Sequence, residues 1–192
     1  MNETTPSGAP HILQTATRLF ISRGYHGLAM REIAEAAEVS KAALYYHFQD
    51  KEALFMAILY GALAQLREAI EQAIQHSGLR AQVSAFTGAI FAWPPEQRAI
   101  IRLANQEMEH LSEQGAAEFA RAYHAQFIEP VQTMLAEGMR RGELRAMDAA
   151  TATWLLLGMM YPFLNSSHSA DPATGQAVAQ AILLTFFDGL GL

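Results

Sequence analysis

Apolar residues recur at three- and four-residue intervals along nearly the whole chain, and no stretch alternates as a half-buried strand would. Ile12, Leu13, Ala16, Leu19 and Phe20 mark one face of a first helix. It starts at Pro10, whose missing N–H is harmless there, and stops at Arg23-Gly24, with Gly24 as a left-handed cap. A short second helix covers Met30 to Ala37 and turns Ile33, Ala34 and Ala37 inward. A third runs from Lys41 to Phe48 behind Ser40 as N-cap. Asp50 caps a long fourth helix whose apolar row is Leu54, Phe55, Ile58, Leu59, Leu63, Leu66, Ile70 and Ile74.

Beyond Gly78 an apolar helix is stopped by Pro94-Pro95. The pattern then predicts a helix from Glu96 to Glu113, halted at Gly115, and a long one from Ala116 to Arg141 kinked at Pro130. Asp148 caps a very apolar helix reaching Leu164, and Asp171-Pro172 opens a last one reaching Asp188. The expected fold is all-α with about nine helices. Residues 1–52 form an N-terminal three-helix unit behind a flexible arm of residues 1–9, and residues 53–192 form a helical body.

Composition narrows the function classes. About half of the 192 residues are apolar, enough for a sizeable core. There is no cysteine, which excludes disulfides and thiolate metal sites and fits a reducing cytosol. The first ten residues lack the basic and apolar runs of a signal peptide, and the longest apolar stretch, Ala152–Leu164, is too short to span a bilayer. A cytoplasmic protein is expected. The net charge of −6 argues against indiscriminate nucleic-acid binding. Residues 10–51 hold five basic against four acidic groups, and Val39–Gln49 contains no acid. The chain's two lysines, Lys41 and Lys51, stand on either side of the aromatic run Tyr45–Phe48 within this region.

Two short helices joined by a tight turn, as in Met30–Phe48, make a helix-turn-helix candidate. Leu44 and Phe48 stand i and i+4, so they hold the second of these helices against Ile33, Ala37 and Val39. Lys41, Ala42, Tyr45 and Tyr46 then face outward. Small Ala42 and Ala43 allow close approach to base edges or a thymine methyl. Tyr45, Tyr46 and His47 can donate to phosphate oxygens. Lys51 lies in the first turn of helix four, where free N–H groups and the helix dipole also favour a phosphate.

The stretch RLFISRGYHGLAMREIAEAAEVSKAALYYHFQDKEALF resembles the DNA-binding domain of the TetR family of bacterial transcriptional regulators over residues 11 to about 56, and VSKAALYYHF with a lysine three residues on is that family's signature. The resemblance implies a sequence-specific regulator, most often a repressor, binding a palindromic operator as a homodimer and released by a small apolar or amphipathic effector. It implies that Lys41, Ala42 and Ala43 face bases from behind the Ser40 cap. Tyr45, Tyr46, His47 and Lys51 would hold the backbone, and Arg31 would reach a base or phosphate. Two positions depart from the family: Ala29 stands where Ser or Thr caps the second helix, and Glu38 where the turn has glycine. The first loses a cap worth ~1 kcal/mol; the second costs roughly 1–2 kcal/mol if left-handed, and sets a negative charge near the reading surface.

The second half supplies aromatic and methionine side chains beyond ordinary core needs. Phe86, Trp93, Met108, Phe127, Trp154 and Tyr161 are candidate walls of an effector cavity, with Arg102, Asn105, His110 and Tyr123 as polar partners. The helices at about 149–164 and 173–188 are apolar nearly all round, which demands burial and points to a homodimer interface. No Gly-rich phosphate loop, nucleophile elbow or cofactor motif is present, so no enzyme is expected. Two alternatives remain: a metal-dependent sensor or enzyme centred on Glu107, His110 and His124, and a DNA-binding dimer without an effector.

Overall fold

The computed structural model describes residues 8–164 and 172–190, apart from the side chains at 105, 109, 172 and 190. Among them the regular structure is entirely helical. The first four helices are α1 (Ala9–Arg23), α2 (Met30–Ala36), α3 (Lys41–His47) and α4 (Lys51–Ala73). They are followed by α5 (Leu79–Ala92), α6 (Pro95–Glu107), α7 (Glu113–Tyr123), α8 (Glu129–Arg140), α9 (Ala149–Met160) and α10 (Pro172–Leu190). A π turn, His124–Ile128, joins α7 to α8, so these two make one continuous rod. The arm's residues 1–7, the loop at 165–171 with its Asp171 cap, and the Asn105 side chain lie outside the described residues.

The three N-terminal helices wrap one apolar knot. Ile12, Ala16, Phe20, Ile33, Ala37 and Leu44 are all essentially buried. Phe20 meets Phe55 of α4 edge-on with ring centroids 5.0 Å apart. Ser40 accepts from Ala43 N at 3.0 Å and Asp50 from Ala53 N at 2.7 Å, so the α3 and α4 starts are set by local capping. Gly24 has φ 71° and ψ 173°. It ends α1 in a positive-φ turn rather than the expected left-handed cap.

The turn between α2 and α3 is a Schellman motif. Val39 N bonds Ala34 O at 3.0 Å and Glu38 N bonds Glu35 O at 3.2 Å, with Glu38 at φ 53°. The same motif recurs after α8, where Glu143 N bonds Gly138 O at 2.9 Å and Gly142 has φ 74°. One turn has the glycine it favours and the other carries glutamate. The Gly142–Leu144 turn does further work. Glu143 accepts from Leu79 N at the start of α5, and Leu144 is buried.

The body packs around α4, which touches α1, α5, α6 and α7, while α10 lies along α5. Only α4 among the described helices is long and apolar enough to cross a membrane, and its row Leu54, Leu59, Leu63 and Ile70 is buried in the protein. Ile74, expected in that row, follows the helix end and is exposed.

Two boundaries differ from expectation. The helix predicted over Glu96–Glu113 stops at Glu107, passes through a 3-10 turn at Met108–His110, and breaks at Leu111. Ser112 then caps α7 by accepting from Gly115 N at 3.1 Å, so Gly115 lies inside the first turn of a new helix. The expected kink at Pro130 takes the form of the π turn. Proline lacks an N–H, and its ring would strike the Gln126 carbonyl in a regular helix. The π turn relieves that clash, and Glu129 N reaches back to His124 O.

Candidate nucleic-acid interface and the cavity behind it

α3 divides cleanly into a held face and a free face. Leu44 is fully buried and Phe48 nearly so. Ser40, Lys41, Ala42, Tyr45, Tyr46 and His47 are exposed, and Ala43 is half-buried. Tyr46 is 85% exposed, and its ring meets His47 edge-on at 5.2 Å. Tyr45 is 51% exposed, so both tyrosines stand largely outside the core. Arg31 on α2 is exposed and pairs with Glu35 at 3.4 Å, an i, i+4 contact weak enough to release its guanidinium. Ala29 has no side-chain cap, and half of a capping box compensates: its N–H donates to Glu32 Oε2 at 2.8 Å. Glu32 also pairs with Arg23 at 2.7 Å, and the Ala29 N–H and Arg23 hold its carboxyl below the usual range.

Lys51 corrects the sequence reading. Its Nζ donates to Tyr25 O at 2.9 Å and Leu28 O at 3.1 Å, and stands over the Tyr25 ring at 4.3 Å. The ammonium thus ties the α1–α2 turn to α4 instead of pointing at a phosphate. Turn carbonyls need donors, and a cation over a tyrosine face gains further.

The reading unit joins the body at a compact seam. Glu52 accepts from Ser112 Oγ at 2.5 Å and Ser112 N at 3.2 Å. The His26 and His110 rings meet edge-on at 4.1 Å, and His110 Nε2 lies 3.6 Å from Glu107 Oε2. His110 therefore belongs to this seam, not to a ligand cavity.

Behind the seam lie two chambers of about 220 and about 350 Å³ that share Leu66, Ile101, Tyr123 and Trp154. Of the candidate walls, Met108 and Trp154 line the first, and Phe127, Trp154 and Tyr161 line the second; Tyr123 lines both. Phe86 is fully buried core, with its ring 5.9 Å from Phe127. Trp93 caps α5 outside both chambers. Arg102 bonds Gln106 Oε1 at 2.7 Å, one turn along its own helix, and lines neither chamber. Leu59, Leu63 and Leu66 of the α4 apolar row are buried and also form the wall of the first chamber. Burial raises the Tyr123 pKa to about 12, with Tyr161 adding to the shift, so its hydroxyl stays neutral. His124 opens onto the first chamber while His110 and Glu107 sit at the seam, so the metal or catalytic trio is not assembled. Among the described residues no group of three His, Cys, Asp or Glu could hold a metal ion.

Comparison with known proteins agrees with this geometry. Residues 12–58 match the family model for bacterial regulatory proteins of the tetR family, and residues 76–163 match that for the tetracyclin repressor-like C-terminal domain. The chain is 28% identical to the transcriptional repressor DhaR of Mycobacterium sp. strain GP1 over 137 residues, 70% of this chain and 69% of that protein. It is 29% identical to the transcriptional repressor BepR of Brucella suis over 161 residues, 80% and 77% respectively. The crystal structure of the regulator PfmR from Thermus thermophilus superposes with a TM-score of 0.83 at 27% identity, covering 94% of this chain and 99% of that one. With the exposed face of α3 and the two models matched over residues 12–58 and 76–163, this chain belongs to the TetR family of bacterial transcriptional regulators.

Proposed function

We propose that the protein is a homodimeric, cytosolic repressor that binds a palindromic operator and is released by a small apolar effector. Residues 1–52 read DNA and residues 53–192 dimerise and hold the effector. The observation that carries the reading is the exposed Lys41, Ala42, Tyr45 and Tyr46 face on a short helix pinned by Leu44 and Phe48. Lys41, Ala42 and Ala43 face base edges, while Tyr45, Tyr46, His47 and Arg31 hold phosphates.

Dimerisation is supported by α9 and α10. Their sequences carry one charged residue, Asp188, yet Trp154, Leu155, Tyr161 and Leu184 are exposed on α9, the turn after it, and α10. Burying that surface against a second copy would set two reading helices roughly 34–36 Å apart, or a multiple. The two chambers favour an effector over a purely structural body. An effector releases DNA only by as much as it prefers the form with the wrong head separation. A binding role without catalysis fits walls that are almost wholly apolar.

The test is fluorescence anisotropy on DNA flanking the coding region, scanned for a palindrome. Lys41→Ala should change the preferred bases, and His47→Ala should weaken all sequences alike. If both variants bound the same sequences as the parent with equal affinity, α3 would not be the reading helix.

A further inference from the structure

We infer that the cavity is finished by the second copy of the chain: the partner covers the open side at Trp154 and Tyr161, so effector binding and dimerisation strengthen each other. This rests on the dimer reading above.

Trp154 lines both chambers and is nonetheless 58% exposed, and Tyr161, on the second chamber, is 41% exposed. Gly158 and Pro162 of the same chamber are exposed as well. Residues 154, 158 and 161 stand i, i+4 and i+7, so the exposed lining of the second chamber is one stripe of α9 and its terminal turn, while the first chamber is also exposed at Ala120 and His124. The adjacent stripe holds Leu155 and Met159. Leu155 is 42% exposed, and Met159 borders an apolar groove of about 300 Å³ against Val178, Ile182 and Thr185 of α10. Cavity mouth and bare interface are therefore neighbouring stripes of one helix. A copy seated on Leu155 and Leu184 covers the mouth beside them.

A single chain leaves an apolar ligand wetted on that side, whereas small-molecule sites bury most of the ligand. The ligand class follows from the walls. They present no carboxylate, lysine or arginine, and their polar groups are the Tyr123 and Tyr161 hydroxyls, the Trp154 indole N–H and His124. A neutral, mainly apolar molecule with one hydrogen-bonding group fits, because a formal charge would be buried without a partner. By linkage, the factor by which the partner tightens the ligand equals the factor by which the ligand tightens the dimer.

The experiment uses the full-length chain and N-phenylnaphthylamine, a neutral naphthyl probe. Sedimentation over a dilution series gives the dimer dissociation constant with and without saturating probe, and fluorescence gives probe affinity at each dilution. Saturating probe should lower the dimer constant about tenfold or more, within the usual range of coupling between sites. Leu184→Glu lies off the cavity wall and should yield a monomer of unchanged helical circular dichroism with at least about tenfold weaker probe binding. A dimer constant unmoved by bound probe would overturn the inference and leave the dimer standing, as would a folded L184E monomer with parental probe affinity. A parent dimer that takes up no probe also overturns it. A parent that is monomeric at every concentration removes the dimer reading itself. The dilution series decides without any variant if L184E does not fold.

Discussion

Two residues change meaning once the fold is known. Glu38 occupies the left-handed position of a Schellman turn, φ 53°, which Gly142 fills in the matching turn after α8. A left-handed glutamate costs roughly 1–2 kcal/mol, and glycine returns part of the gain as chain entropy in the unfolded state. Glu38→Gly should therefore stabilise the protein by about 1 kcal/mol in chemical denaturation; a loss of stability would refute the strain. Glu38→Asn, neutral and tolerant of this conformation, separates strain from charge in DNA binding. Lys51 makes the opposite point. Its ammonium closes onto the Tyr25 and Leu28 carbonyls, so Lys51→Ala should cost about 2 kcal/mol, as charged hydrogen bonds do. Any operator affinity lost should come with an unchanged salt slope. A slope lowered by about one unit would return Lys51 to a phosphate. Sequence alone could not decide this, because the partner carbonyls lie more than twenty residues earlier in the chain.

At the scale of elements, the boundaries readable in the sequence were those set by local caps. Ser40 and Asp50 cap their own helices three residues on, and both starts fell where expected. The α6–α7 break was hidden because Ser112 caps a helix inside a run that is helix-forming on both sides. The chamber wall was hidden for a different reason: an apolar row such as Leu59, Leu63 and Leu66 looks the same facing packed core or open space. Three helix starts carry a pH signature. Glu32 accepts from Ala29 N, Asp148 from the Thr151 hydroxyl and N–H, and Glu143 from Leu79 N; these bonds are the largest cause of each lowered pKa. The unfolded chain then takes up these protons first as pH falls. Their stabilisation is complete above the ordinary carboxylate range of about 4 and is lost as pH drops through the lowered values. Denaturation midpoints should be flat from about pH 7 to pH 5 and fall below about pH 4, less steeply in Glu143→Gln. An identical acid branch in that variant would remove Glu143 from the account.

At the scale of the whole molecule, the question is how a filled cavity reaches a helix at the far end. Met108 lines the first chamber and begins the 3-10 turn that ends at His110. Two residues later Ser112 donates to Glu52, beside the lysine that holds the α1–α2 turn. Cavity wall, seam and reading unit are thus connected within five residues of chain and one pair of hydrogen bonds. Coupling between sites requires an element whose arrangement both sites bias, and the short segment 108–112 is the stretch that touches both. Glu52→Gln keeps the shape of the seam while weakening its charged hydrogen bonds. The expected result is operator affinity within about twofold of the parent without effector, and an effector-induced loss of affinity several-fold smaller than the ~5–150 usual for coupled sites. Anisotropy titrations on the operator, with and without N-phenylnaphthylamine, would measure both. Full release in the variant would mean that the signal passes along α4 itself, whose Leu59, Leu63 and Leu66 line the same chamber.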